Sequence, residues 1–249
     1  MLNFAHQKKY LLGVPKLNPP KVQDNHRPAF TAEEWEKLYT RARKWVKDAE
    51  HKAVKRDRFY LQQYALILAN SGIRVGEARD LKWGNIRSLK TPDGNELVAN
   101  VVGKTSTSNG RDVVMNPSCE RYLERLYDWR RDELGKDPDP SEPIFCHKDG
   151  KAVGSYKKSF ASLLEYTDLT FNSRGQKRTI YSLRHTYATM ALNRSPVYFV
   201  AKNMGTSVKM IERFYEQSNI QEQAAAVLAG VPRGQQNGNA KKKKYPFKR

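Results

Sequence analysis

The sequence predicts an α+β fold that is mostly α-helical and carries one small three-stranded antiparallel sheet. Three observations predict it. Apolar residues recur at helical spacing from Trp35 to Leu68 and again after Pro117. Between those stretches lie three short runs rich in β-branched residues. Two turn-forming clusters, Pro92-Asp93-Gly94 and Ser108-Asn109-Gly110, separate the three runs.

Residues 1–27 are polar and broken by Pro15, Pro19 and Pro20, which reads as a short helical stub and a linker. The main domain is expected over 28–232. Thr31-Ala32-Glu33-Glu34 is a capping box ahead of Trp35, Leu38, Tyr39 and Ala42 at helical spacing. A second helix is predicted from about Asp57 to Asn70, with Tyr60, Tyr64, Ala65, Ile67 and Leu68 inward. Ser71-Gly72 ends it, and a short helix follows through Glu77 and Leu81. The strands are placed at Trp83–Ile86, Leu97–Val102 and Asp112–Met115. After Pro117 a helix runs to Leu134, then a Pro- and Asp-rich loop from Gly135 to Pro143. Further helices are expected near 154–167, 182–193, 196–203, 207–215 and 219–229. Residues 233–249 hold too few apolar groups to pack and read as a flexible basic tail with Lys241, Lys242, Lys243 and Lys244.

The chain has 45 Lys and Arg against 26 Asp and Glu, a formal charge of +19. Folding does not require that excess, so a polyanionic partner is implied. The basic residues are spread along the chain, which favours nucleic acid over a membrane surface. No apolar run approaches the roughly 20 residues that span a bilayer. The N-terminus lacks the apolar core and cleavage site of a signal peptide, so a cytoplasmic protein is expected. Cys119 and Cys146 make neither a disulfide framework nor a zinc set and read as reduced thiols. His6, His26, His51, His147 and His185 are scattered without metal-binding spacing. There is no phosphate loop for a nucleoside triphosphate and no GxSxG elbow.

Four residues at structured positions remain. Arg74 follows a helix-ending Ser-Gly in SGIRVGEARDLKW, where a guanidinium beside a helix N-terminus suits a phosphate. Lys104 ends a predicted strand in VVGKTSTSNGRDVV. Arg184 opens a helix in YSLRHTYATMAL. Tyr215 lies near the end of the short helix in MGTSVKMIERFYEQ.

These segments, in this order, resemble the tyrosine recombinases, the phage integrases and their relatives. Gly72-Ile73-Arg74-Val75-Gly76-Glu77 matches the family's Gly-(Leu/Ile)-Arg-x-x-Glu. Gly103-Lys104-Thr105 matches its hairpin lysine, and Tyr181-Ser182-Leu183-Arg184-His185-Thr186 its His-x-x-Arg-His-Thr. Met204-Gly205-Thr206 stands where the family has Leu-Gly-His, with Tyr215 nine positions after Thr206. The resemblance covers about residues 28–229, and residues 1–27 look like the last helix and linker of the family's separate core-binding domain.

The resemblance implies a catalytic-domain fold of that family and a reaction on double-stranded DNA without metal, ATP or other cofactor. Tyr215 would attack a phosphodiester and Arg74 and Arg184 would hold its non-bridging oxygens. Lys104 would protonate the departing 5′-oxygen, with Lys82 and Lys90 as rivals. The product would be a 3′-phosphotyrosine; the protein would act as a homotetramer on two DNA sites and be a monomer in isolation. Two departures are visible. Tyr181 stands where histidine is usual and is a poorer general base; Thr206 stands where histidine or tryptophan is usual and has a shorter reach. Slower chemistry is expected. Glu77 would orient an arginine. His185 reads first as a structural histidine and second as a support behind the site. The lysine tail would contact DNA without sequence preference. Helix 219–229 would dock on a neighbouring protomer or fold back on its own domain. Two other readings stay open: a catalytically silent DNA-binding protein of the same fold, and a DNA-relaxing or telomere-resolving enzyme with the same residues.

Overall fold

The computed structural model describes residues 2–14, 27–92, 94–103 and 110–215, with side chains as far as Glu212. The linker at 15–26, Asp93, the Ser108-Asn109 turn, Lys104, the helix at 219–229 and the tail with Lys241 to Lys244 lie outside the described residues. A short helix α1 (Leu2–Gln7) buries no side chain.

Helix α2 (Ala32–Lys47) starts at the predicted capping box. The Thr31 hydroxyl accepts from the Glu34 amide at 3.2 Å, and the Glu34 carboxylate accepts from the Thr31 amide at 2.9 Å. Its inward face is Leu38, Ala42, Trp45 and Val46. Helix α3 (Lys52–Ser71) is the axial element and is buried on nearly every side from Tyr60 onward. It packs against α2, α5 (Ser118–Leu134), α6 (Lys157–Thr167) and α7 (Ser182–Leu192). It begins five residues before Asp57; its first turn, Lys52 to Lys55, is exposed, and its apolar pair Ala53 and Val54 faces solvent and shows no helical periodicity. Gly72 ends it in the left-handed conformation. Helix α4 (Val75–Arg79) follows.

The sheet is antiparallel with order β1-β2-β3: β1 (Ile86–Thr91), β2 (Gly94–Val101) and β3 (Arg111–Val114). The first strand is displaced from its predicted place. Trp83–Asn85 forms a 3-10 turn, and the strand runs on through Arg87, Ser88 and Lys90 to the Pro92 turn. Both faces of β1 are largely exposed, so the apolar alternation that would announce it is missing. The turn at Trp83 is held from the predicted loop. Trp83 and Gly84 donate their amides to the carbonyls of Glu142 and Pro140 at 3.2 and 2.8 Å.

Two cores result. The larger joins α2, α3, α5, α6 and the inner face of the sheet through residues such as Leu61, Ile67, Leu68, Val113, Phe145 and Phe160. The smaller joins α7, α8 (Val197–Met204) and α9 (Val208–Tyr215) through Ala188, Val200, Ala201, Met204 and Ile211. Among the described residues no helix is long and apolar enough to cross a membrane.

Candidate active site

The seam between the two cores is polar. On its larger-core side, Gly72 at φ +66° turns the chain out of α3 and Arg74 takes extended backbone angles at the start of α4. Glu77, three residues on, has its carboxylate 5% exposed. One carboxylate oxygen accepts from Arg74 Nη1 at 2.7 Å. The other accepts from the Arg74 amide at 3.1 Å and from Arg111 Nη2 at 2.6 Å. A buried carboxylate is tolerated where opposite charges and donors surround it in this way. Arg74 Nη2 also donates to the Gly205 carbonyl. Its side chain stays 42% exposed, so solvent-borne anions can reach it.

On the smaller-core side, Arg184 lies in the first turn of α7 and is 4% exposed. It donates to the carbonyls of Gly72 and, at 2.8 Å, of Met204. Among the described residues no carboxylate pairs with it at ion-pair distance. Burial pulls its guanidinium down to about 10; Tyr181 opposes the shift, and the charges of Arg74 and Arg111 add to it. Arg184 is therefore charged near neutrality and short of a counter-ion. Three guanidiniums face one carboxylate in this cluster, and the excess positive charge suits an anion with several oxygens.

Arg74 and Arg184 thus grip adjacent carbonyls, Gly205 and Met204, in the turn between α8 and α9. Thr206 lies in the same turn, half-buried, with its amide donating to Ala201 O at 3.0 Å. Tyr215 is the last residue of α9. Tyr181, 40% exposed, precedes α7 and meets the buried His185 ring edge-on at 5.1 Å. The structure therefore brings together Arg74, Arg184, Glu77, Tyr181 and His185, with Thr206 on the adjoining turn. Lys104 and the tail lysines lie outside the described residues.

Sequence reasoning did not single out Arg111. Its guanidinium bonds Glu77 and, at 2.5 Å, the Asn203 carbonyl. Burial lowers its pKa, an effect that Glu77 opposes and Arg74 reinforces. A signal was available: residues two apart in a strand share a face. Arg111 shares its face with Val113, which is fully buried, so a charge there demanded a buried partner.

Gly205 shows why this turn takes glycine. Its φ is +64°, and a Cβ would lie 2.4 Å from Arg111 Nε. Gly205→Ala is expected to displace Arg111 and to destabilise the fold by about 1–2 kcal/mol through the left-handed backbone alone. Thermal unfolding checks it, and an unchanged melting temperature would sink the packing argument.

The family model described as Phage integrase family matches residues 28–222. Among solved structures the fold is similar to the XerA recombinase, with TM-score 0.59 and 21% identity over 84% of this chain and 67% of that one. It is also similar to the XerH site-specific recombinase bound to palindromic difH substrate in a post-cleavage complex, with TM-score 0.61 and 20% identity over 85% of this chain and 56% of that one. A lambda integrase (75–356) dimer bound to a COC′ core site gives TM-score 0.59 and 17% identity over 85% of this chain and 68% of that one. The chain thus spans about half to two thirds of the length of the solved recombinases it matches first. At these identities the likeness is one of fold. No curated protein matches the chain. With the family match covering most of the sequence and the recombinase catalytic fold assembled around its arginines, the chain belongs to the phage integrase family, the tyrosine recombinases.

Proposed function

We propose that this chain is a site-specific DNA recombinase that cleaves and rejoins strands through Tyr215. The observation that carries the reading is the pair of guanidiniums, Arg74 and Arg184, gathered on the turn from which the Tyr215 helix departs. A phosphodiester in this cluster would take donors from both, and its developing charge in the pentacovalent transition state would meet excess positive charge. The Tyr215 oxygen forms a bond to phosphorus and its phenolic proton passes to water. The bond from phosphorus to the 5′-oxygen breaks, and that oxygen takes a proton from Lys104. A 3′-phosphotyrosine and a 5′-hydroxyl result. Attack by another strand's 5′-hydroxyl reverses the step, so the bond energy is kept and no cofactor is called for.

Tyr181 is exposed enough to donate its hydroxyl to the same phosphate, and Thr206 offers a shorter donor from the α8–α9 turn. The +19 charge supports double-stranded DNA as partner, with Lys241 to Lys244 as added nonspecific contacts. The acting form is a homotetramer on two sites, in the cytoplasm, with residues 1–27 the end of a core-binding region. The unusual Tyr181 and Thr206 favour one rival, a silent DNA-binding protein of the same fold.

A nicked suicide duplex of the cognate site separates the two. Wild type is expected to form an SDS-resistant protein–DNA adduct and Tyr215→Phe none, with duplex affinity unchanged. A wild type without adduct on cognate DNA, or an equal adduct from Tyr215→Phe, overturns the catalytic reading.

A further inference from the structure

We propose that Arg111 is a positioning residue that fixes the phosphate-gripping arginines relative to the helix bearing Tyr215, an inference that rests on the strand-transfer reading above. One guanidinium touches three elements. It starts on β3, meets the Glu77 carboxylate of α4 at 2.6 Å, and meets the Asn203 carbonyl at the end of α8 at 2.5 Å. The same group is pressed on Gly205, where an added Cβ would lie 2.9 Å from Arg111 Cζ. Glu77 passes the constraint to Arg74, which it holds by both side chain and backbone.

A second tie runs in parallel. The Asn203 side chain accepts from the Val114 amide at 2.9 Å and donates to the Val114 carbonyl at 3.0 Å. Asn203 Nδ2 also donates to the Tyr187 hydroxyl at 2.9 Å. Val114 lies on an edge strand, so the end of α8 uses main-chain groups the sheet leaves unpaired. Among the described side chains, α9 contributes one buried apolar group, Ile211, with Val208 packed beside it. The polar ties hold the end of α8 and the turn that leads into α9.

The test uses the full chain with Arg111→Met, which keeps the stem and removes the donors, and Arg111→Lys, which keeps the charge. Arg87→Met is the control, since Arg87 pairs with exposed Asp112 on the sheet surface. Arg111→Met is expected to slow single-turnover adduct formation on the suicide duplex by about 100-fold. Duplex affinity should stay within about threefold, because the lost contacts are internal to the protein. Amide hydrogen exchange at residues 203–207 should quicken by about tenfold or more while that of α5 is unchanged. Arg111→Lys should recover part of the rate, and Arg87→Met should behave as wild type. A folded Arg111→Met with a wild-type cleavage rate overturns the inference. So does unchanged exchange at 203–207, which is read without any catalysis. A wild type that forms no adduct counts against the strand-transfer reading instead, and the exchange result then decides alone whether Arg111 holds the turn.

Discussion

Replacing Arg184 with methionine is expected to slow formation of the covalent tyrosyl adduct by about 1000-fold and to move the melting temperature by less than about 5 °C. The activity loss follows from geometry and charge. Arg184 is a buried cation at the turn shared with Arg74, held down to about 10 by burial and still charged at neutral pH. A phosphate there would supply the counter-ion that the fold withholds. The small stability effect follows from two opposed terms. The substitution relieves the desolvation of a charge, and it strands the carbonyls of Gly72 and Met204. The sign in pH is set by the lowered value: the charge is present through the neutral range and is lost as pH rises through about 10. Sulfate should raise the melting temperature of wild type more than that of Arg184→Met, since binding to the folded state alone stabilises it. A variant that cleaves within tenfold of wild type would remove Arg184 from the chemistry.

The second large effect is structural and lies far from the seam. Glu133→Gln is expected to cost about 3 kcal/mol, because breaking a buried pair leaves an uncompensated charge. The Glu133 carboxylate accepts from Arg56 Nε at 2.6 Å and Nη2 at 3.0 Å, from Arg130 Nη1 at 3.2 Å and from Trp129 Nε1 at 2.9 Å. Arg56 also lies over the Tyr60 ring at 4.1 Å. Arg130 keeps Glu142 as a second partner at 2.5 Å, whereas Arg56 pairs with Glu133 alone among the described carboxylates. Burial opposes ionisation of Glu133, but hydrogen bonds from Arg56 and Trp129 outweigh it and hold the carboxyl below its ordinary value of 4.5. A depressed folded value means that this stability is present above the unfolded value and is lost as pH falls through the folded one. Melting temperatures across pH 3–7 check it: the gap between wild type and Glu133→Gln, roughly 10 °C near neutrality, should narrow as pH falls below the ordinary value of 4.5. A gap that does not narrow at all between pH 7 and pH 3 would show that the cost is packing.

Much of the fold is legible in the sequence where one residue type has one physical use. The Thr31–Glu34 box starts α2, Gly72 stops α3, Pro117 opens α5, and the Pro92 cluster turns the first hairpin. What escaped reading had no periodic signature. The solvated first turn of α3 looks like loop, and β1 exposes both faces. The segment at Trp83 looks like a strand because Trp83 and Ile86 are apolar, yet its amides are taken by the loop at Pro140 and Glu142.

The sequence by itself determined the helical class with its one small sheet, the family, and the local settings of Arg74, Arg184 and Tyr215. Each of those depends on neighbours a few residues away, where spacing is informative. Only the tertiary structure decided that Arg74 and Arg184 grip adjacent carbonyls of the α8–α9 turn, that Glu77 serves two guanidiniums, and that Arg111 closes the cluster from β3. Apart from the Arg74–Glu77 pair, which is three residues apart, those contacts join positions 20 to more than 100 residues apart. They are set by the balance of buried charge at the seam between two cores, which no local pattern in the chain records.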